Sequence, residues 1–398
     1  MRQFSRSFHR RDYTGHRGST VTHLATCVVL VVALWPPSLR PPHAQAPREL
    51  RPLLDSIRQK YDLPALAGAI VTSEGIWAQG AAGVRKYGTG TPVTIDDQFH
   101  LGSDTKAMTA TLAAVLVEQG TLSWNTTLAA ALPELATTMD TAYRGVTLEQ
   151  LLAHRAGFTD ESWPVGETFQ SMHNLPGSPR EQRWAYARKI LEEAPTKVRP
   201  GQFLYSNRSY AIAGVIVERA ANVAWESLMQ RWLFEPLGME TCGFGPMGTP
   251  GKIDQPWQHV IVNKAHESIG PGPLSDNPAV IAPAGLVHCS IVDWAKFLQA
   301  HLRGAKGLPG ILKPETFKRL QTTVYGDYGF GWLAVERPWA GGRVLTHAGS
   351  NTQNIAVVWM APLRDFAVLV ATNQGGEDAF RACDEAASAF INRYNPGR

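Results

Sequence analysis

The stretch Leu101-Gly-Ser-Asp-Thr-Lys106 places a serine and a lysine three residues apart, where the hydropathy pattern changes to that of a helix. Apolar residues recur after it at helical spacing, and Gly120 follows where a helix C-terminus is expected. The helix is therefore expected to begin at Ser103 or Asp104. The serine and lysine side chains would then share one face of its first turn, within hydrogen-bonding distance.

This pair of side chains suits nucleophilic catalysis. A serine hydroxyl needs a base, and a lysine amine can serve if burial or a neighbouring cation lowers its pKa from about 10.4 towards neutrality. The helix N-terminus adds free backbone N–H groups where an oxyanion would develop. An isolated Ser-x-x-Lys is weak, because on the order of one match per chain arises by chance. For an isolated match, Ser103 or Asp104 as a helix cap beside a solvated lysine is the favoured explanation.

Two further motifs follow in the chain. Tyr205-Ser-Asn207 lies in a loop before a predicted helix, and His347-Ala-Gly349 ends a predicted strand. Each has an ordinary interpretation of its own, a helix cap with a packed tyrosine for the second motif and a polar strand end for the third. A glycine at a strand end also permits close approach of a substrate backbone.

Together, and in this order, the three motifs resemble those of the penicillin-recognising serine hydrolases: class C β-lactamases, D-alanyl-D-alanine carboxypeptidases, D-aminopeptidases and related esterases. The resemblance spans nearly the whole chain after residue 46. It includes further landmarks at residues 151–158, 200–207, 236–239, 283–285 and 328–332.

The resemblance implies catalytic roles for three residues. Ser103 would be the acylated nucleophile, Lys106 its hydrogen-bonded partner and Tyr205 the phenolic general acid/base. An amide, lactam or ester carbonyl would acylate the serine, and water would then hydrolyse the acyl-enzyme. A nearby ammonium is expected to lower the pKa of Tyr205, so that the lysine and the phenol titrate together and neither is assigned as the sole base.

The resemblance also implies a substrate-binding set. Asn207 would bind the substrate amide, and His347 occupies the third-motif position. The oxyanion hole would consist of the backbone N–H groups of Ser103 and Ser350, the latter just beyond Gly349 on an edge strand. No cofactor and no metal is expected, because no two histidines stand at ligand spacing within one element.

The third motif departs from that of class C β-lactamases, which have Lys-Thr-Gly there. Histidine, with a pKa near 6.5, is mostly neutral at pH 7 and offers no permanent cation to a substrate carboxylate. An ester or D-residue amide is therefore favoured over efficient β-lactam hydrolysis. The alternative is a catalytically slow penicillin-binding or cell-wall recognition module, which would bind substrate but deacylate slowly.

The remaining periodicity predicts an α+β fold of the β-lactamase/transpeptidase type. Strand signals are concentrated near the two ends of the chain, whereas residues 124–320 show mostly helical segments and few strand signals. We predict an antiparallel sheet flanked by helices, formed by residues 47–102 and 321–398, with an inserted helical lobe of residues 103–320. A cleft between the two lobes is the expected site.

The first 46 residues are predicted to be a signal peptide. They combine basic residues, an apolar run at 24–35 and the small-residue site Ala44-Gln-Ala46. The run is about half of the roughly 20 residues that a membrane-spanning helix needs, so no stable membrane anchor is expected. The expected location is periplasmic or secreted.

The net charge limits the classes of partner that are expected. The first 46 residues hold six arginines and one aspartate, so the remainder has a net charge near −1 and no nucleic-acid partner is expected. The expected partner is a small-molecule or peptide substrate, and the sequence does not predict the oligomeric state.

Cys242, Cys289 and Cys383 would permit one disulfide in an oxidising compartment, without indicating which pair forms it.

Overall fold

The structure is a computed structural model that describes residues 47–394. The predicted signal peptide lies outside the described residues. The strands are β1 Arg48–Glu49, β2 Ala65–Thr72, β3 Gly75–Gly83, β4 Gln98–His100, β5 Gly243–Phe244, β6 Gln258–Val262, β7 Ala265–Ile269, β8 Val287–Ser290, β9 Tyr328–Gly329, β10 Trp332–Arg337, β11 Gly342–Ser350, β12 Ile355–Ala361 and β13 Phe366–Thr372.

The α-helices of the described residues are concentrated between β4 and β9. They are α1 Arg51–Lys60, α2 Thr105–Glu118, α3 Leu128–Ala131, α4 Leu148–Leu152, α5 Phe169–His173, α6 Pro179–Glu192, α7 Asn207–Ala221, α8 Trp225–Met229, α9 Glu235–Leu237, α10 Ala282–Gly285, α11 Ile291–Ala305, α12 Pro314–Leu320 and α13 Glu377–Tyr394. None of these helices is both long and apolar enough to cross a membrane.

The main sheet has the order β1-β3-β2-β13-β12-β11-β10-β9. All neighbouring strands are antiparallel except β1 and β3. Every residue of β13 is buried, as expected for a strand that is covered on both faces. One face packs against α1 and α13, and the other packs against the helical part of the chain. The predicted α+β fold, with helices flanking an antiparallel sheet, is confirmed.

Helix α2 fixes the position of the first motif. Most of its residues are buried, and it contacts α7 and α10. The helix begins at Thr105, later than predicted, because Gly102–Asp104 form a 3₁₀ turn. Such turns are common at helix N-termini. Ser103 thus precedes the buried helix and stays partly exposed, whereas Lys106 lies within it.

The interpretation of residues 124–320 as nearly strand-free is wrong at two places. Strands β6 and β7 form a hairpin whose turn residues Asn263 and Lys264 both have positive φ. That conformation is usually signalled by Asn-Gly, so this turn gave little sequence signal. The second place is the region of β5 and β8, which pair with each other, and β8 also pairs with β4. These strands are too short to show an alternating pattern.

The third motif lies on β11. The sequence predicted an edge strand here, but β11 is an internal strand of the sheet. It lies between β10 and β12, but β10 pairs only with the stretch of β11 that ends at Thr346, opposite Leu333. Within the described residues no strand pairs with β11 on that side from His347 onwards, because β10 begins at Trp332 and pairs there with β9. The end of the strand therefore remains accessible as if it were at an edge.

The structure selects one cysteine pair. Cys242 and Cys289 form a disulfide across 47 residues of sequence, and Cys383 is buried in α13 as a free thiol. Cys289 belongs to β8, and Cys242 directly precedes β5, its neighbour. The disulfide therefore links two segments that are adjacent in the small sheet.

Removing this disulfide with Cys242→Ala/Cys289→Ala is expected to lower the free energy of unfolding by about 2–4 kcal/mol, because the unfolded chain is freed from a long closed loop. Urea unfolding of the variant and of the oxidised protein measures the loss. Wild-type protein treated with dithiothreitol is the control and should behave like the variant. Equal unfolding free energies for oxidised and reduced protein would contradict the prediction.

Candidate active site

The Lys106 amine lies at the centre of the candidate site. Its Nζ is 3.0 Å from Ser103 Oγ, 2.9 Å from Asn207 Oδ1 and 2.7 Å from the Ala284 carbonyl oxygen. The amide and carbonyl oxygens can only accept hydrogen bonds. A neutral amine therefore uses its two hydrogens for these oxygens and directs its lone pair at the serine hydroxyl. The geometry suits proton transfer from Ser103 to Lys106.

Burial favours the neutral form of the Lys106 amine. Lys106 is fully buried, and this burial lowers its pKa to about 7, against the opposing effect of Asp104. Asp104 is buried as well, and within residues 47–394 neither of its carboxyl oxygens has a hydrogen-bond partner. Burial raises the pKa of Asp104 well above its usual range, although Lys106 opposes the shift. The raised pKa of Asp104 weakens its tendency to hold the lysine in its charged form.

Tyr205 lies beside this pair. Its ring centre is 4.9 Å from Lys106 Nζ. Burial raises the pKa of Tyr205, and its interaction with the Ser103 hydroxyl opposes the rise only in part. The expected lowering of this pKa is therefore wrong, because desolvation of the phenolate outweighs the neighbouring amine. At neutral pH the phenol is a proton donor and the amine a proton acceptor.

His154 holds the loop that carries the second motif. This residue is buried and has a φ of 55°, and its Nδ1 accepts a hydrogen bond from the Ser206 N–H at 3.1 Å. Its ring lies 4.3 Å from that of Tyr205. Asn207 is the first residue of α7 and not its cap, and its Nδ2 donates to Ser162 Oγ at 3.0 Å. Its carbonyl oxygen is thereby oriented towards Lys106.

His347 contributes no positive charge to the site. Its Nε2 is 3.1 Å from the Tyr328 hydroxyl, and its Nδ1 is 3.0 Å from the Ala348 carbonyl oxygen. The carbonyl requires a hydrogen on Nδ1, which leaves Nε2 to accept from the phenol. Burial, aided by Lys106, lowers the pKa of His347 to about 3. The imidazole is therefore neutral at physiological pH.

Two glycines bring the predicted oxyanion-hole donors together. Gly102 has a φ of +50°, and a Cβ added there would overlap the Ser350 nitrogen. A Cβ at Gly349 would overlap the Leu101 carbonyl oxygen and lie 2.8 Å from the Ser103 nitrogen. The 3₁₀ turn and β11 can approach this closely only without side chains at these positions. The structure thus brings the Ser103 and Ser350 N–H groups to the same end of the site.

Gly349→Ala is expected to lower kcat/KM by about 10²–10³, because the added methyl group forces apart the two segments that carry the oxyanion donors. Initial rates of ester hydrolysis at substrate concentrations well below KM give kcat/KM and check the prediction. The matched control is Gly145→Ala, where the added Cβ meets nothing within 4 Å. A Gly349→Ala protein as active as the control would contradict the prediction.

A buried polar network, which sequence reasoning missed, supports these two segments. His100 Nδ1 accepts from the Gly102 N–H at 3.1 Å, and its Nε2 lies 2.7 Å from Asp276 Oδ2. Asp276 Oδ1 accepts from Asn351 Nδ2 at 3.0 Å. The network joins the segment that precedes Ser103 to the residue after Ser350. Only His100 was near a motif, since Asp276 lies in a loop without a readable pattern.

The structure therefore assembles every predicted site residue at one place. Ser103, Lys106, Tyr205 and Asn207 surround the buried amine, and His347, Gly349 and Ser350 follow along the accessible end of β11. Within residues 47–394, no group of three or more His, Cys, Asp or Glu side chains is placed to hold a metal ion.

Comparison with known sequences gives consistent matches. The Beta-lactamase family model matches residues 50–391. Penicillin-binding protein 4 of Amycolatopsis lactamdurans is 25% identical over 347 residues, covering 82% of this chain and 85% of the relative. The D-alanyl-D-alanine-carboxypeptidase/endopeptidase AmpH of Escherichia coli is 26% identical over 52% of this chain and 50% of the relative. The chain also spans 47% of the unguisins hydrolase ungD' of Aspergillus campestris, at 25% identity.

Solved structures share the fold. The octameric penicillin-binding protein homologue from Pyrococcus abyssi has a TM-score of 0.68 at 21% identity, over 86% of this chain and 76% of that one. A D-stereospecific amidohydrolase from Streptomyces sp. has a TM-score of 0.64 at 19% identity, over 84% of this chain and 96% of that one. With the three motifs assembled in one site and the family model covering nearly all described residues, the chain belongs to the Beta-lactamase family of serine hydrolases.

Proposed function

We propose that this protein is an exported hydrolase that cleaves an ester or an amide, such as a D-residue peptide or β-lactam-like bond, through an acyl-enzyme on Ser103. The observation that carries the proposal is the buried Lys106 amine, whose Nζ lies 3.0 Å from Ser103 Oγ. Relatives named as a carboxypeptidase and as a D-stereospecific amidohydrolase support the amide alternative.

The reaction follows from the positions of the side chains. Lys106 accepts the hydroxyl proton while Ser103 Oγ bonds to the substrate carbonyl carbon, and the oxyanion receives hydrogen bonds from the Ser103 and Ser350 N–H groups. The Tyr205 phenol donates its proton to the leaving atom as the scissile bond breaks. Proton transfer from Lys106 to Tyr205 restores the resting state. Water then attacks the acyl carbon while Lys106 accepts a proton from it, and the bond to Ser103 Oγ breaks as Lys106 returns that proton to the serine.

The neutral His347 favours substrates that lack a carboxylate beside the scissile bond. A permanent lysine cation would attract such a carboxylate, whereas a buried imidazole with a lowered pKa does not. We therefore place esters and D-residue amides ahead of β-lactams as substrates. Efficient β-lactam hydrolysis is not expected.

A periplasmic or secreted location is part of the proposal. It is supported by the signal-peptide pattern of residues 1–46. The Cys242–Cys289 disulfide supports it independently, because such bonds persist in oxidising compartments. Fractionation of cells that express the full chain, with N-terminal sequencing of the exported protein, tests it. Protein retained in the cytoplasm with its first 46 residues intact would contradict export.

Covalent labelling tests the acyl-enzyme. Intact-mass and peptide-mapping mass spectrometry after incubation with a fluorophosphonate or a penicillin should show one adduct, located on Ser103. A panel of short-chain esters, D-amino acid amides, D-Ala-D-Ala peptides and nitrocefin then ranks the substrates. A persistent Ser103 adduct without turnover of any panel member would favour the slow binding module. No adduct with any probe would contradict both alternatives.

A further inference from the structure

An apolar groove continues from the candidate site. It has a volume of about 400 Å³ and begins at Tyr205 and His347. From there it passes the accessible end of β11 towards α13, and it is lined by Trp359 of β12 and Phe380 of α13. Its size lies within the range of roughly 300–1,000 Å³ that is usual for pockets binding small molecules.

The groove leaves large apolar side chains uncovered. Phe203, Leu333 and Phe380 are 46%, 40% and 42% exposed. They come from three separate segments, namely the loop before α7, strand β10 and helix α13, yet all of them line this one groove. Apolar residues that converge from separate elements on one surface usually mark a binding site. The early end of the β10–β11 pairing creates the opening between them.

The charge of the groove restricts its occupant. No Lys or Arg of the described chain lines it, and its one carboxylate is that of Asp384, on α13. A substrate carboxylate would thus meet an apolar wall and a like charge, with no cation to pair with. A neutral apolar group is favoured instead.

The position of the groove indicates which part of the substrate it would bind. Tyr205 lines it, and in the proposed reaction this phenol protonates the leaving atom. The group that extends into the groove is therefore attached to the leaving atom and not to the acyl carbon. We propose that the groove is a subsite for a neutral, apolar leaving group, an aryl or branched alkyl group on the departing alcohol or amine. This proposal rests on the proposed function.

Esters that differ only in the leaving alcohol test the subsite. Methyl, benzyl and 4-carboxybenzyl esters of acetic acid and of D-alanine keep the acyl group constant within each series. We expect kcat/KM for benzyl esters to exceed that for methyl esters by about tenfold or more, as burial of an apolar group in a pocket allows. The added carboxylate of the third ester should remove this advantage.

Two variants locate the effect in the groove. Phe380→Ala should reduce the benzyl-to-methyl ratio of kcat/KM severalfold, because it removes part of the apolar wall. Asp384→Lys, at an exposed position, should raise kcat/KM for the 4-carboxybenzyl ester relative to the benzyl ester. Leu363→Ala, at a 70% exposed apolar residue of the turn between β12 and β13, is the matched control and should leave both ratios unchanged.

The outcomes separate this proposal from the proposed function. Ester turnover with a benzyl-to-methyl ratio near one, or a ratio that neither groove variant changes, would overturn the subsite and leave the acyl-enzyme intact. The absence of both ester turnover and any Ser103 adduct would overturn the two proposals together.

Discussion

Ser103→Ala is expected to abolish ester and amide hydrolysis, with a loss in kcat/KM of about 10⁴-fold or more. Among the residues that the structure describes, this hydroxyl is the one nucleophile within hydrogen-bonding distance of the Lys106 amine. Its removal leaves only substrate binding and oxyanion stabilisation to assist attack by water. Initial rates on p-nitrophenyl acetate, together with the loss of the covalent adduct in the mass spectrum, measure the effect.

The control for this change is Ser388→Ala, at an exposed position on α13. It should retain full activity and full labelling. A Ser103→Ala protein that keeps more than about a hundredth of the wild-type kcat/KM would place the nucleophile elsewhere, because single triad-type knockouts exceed that loss.

Lys106→Met is expected to lower kcat/KM by about 10²–10⁴, because the side chain keeps a similar length but loses the base. In the wild type, kcat/KM should rise with pH through about 7, where the buried ammonium loses its proton. The variant should lose that rise. A pH–rate profile of both proteins checks the prediction, and a variant with the wild-type profile would assign the base to another group.

The same residue is expected to make stability depend on pH. Burial lowers the folded pKa of Lys106 from 10.5 to about 7, so between these values the unfolded chain binds a proton that the folded protein does not. The free energy of unfolding of the wild type, relative to Lys106→Met, should therefore rise as pH increases from about 7 to 10.5. Urea unfolding of both proteins at pH 7 and pH 9 measures this difference. A constant difference would show that the folded amine is not neutralised in this range.

The fold was largely readable from local patterns. The strands around Ala67 and Val370 agree with the strand signals near the two ends of the chain, and the helix that contains Lys106 begins within a few residues of its predicted start. The order of the three motifs indicated the catalytic residue types through its resemblance to that of the penicillin-recognising serine hydrolases.

The protonation states of Lys106 and Tyr205 could not be predicted from sequence patterns. Nothing in the six residues of the first motif shows that Asn207 Oδ1 and the Ala284 carbonyl oxygen accept both hydrogens of a neutral amine. The raised pKa of Tyr205 likewise comes from burial by neighbours that are distant in sequence. Desolvation depends on the atoms that surround a group, and those atoms come from several separate segments.

By itself, the sequence determined the α+β class through its periodicity, and the order of its three motifs and their resemblance to a known family indicated the nucleophile candidate and the residue types of the site. Only the tertiary structure decided which cysteines pair, that His100 and Asp276 support the oxyanion segments, and that an apolar groove extends from Tyr205. Each of these features is a contact between segments far apart in the chain. Such contacts follow from how the elements pack, which no local pattern records.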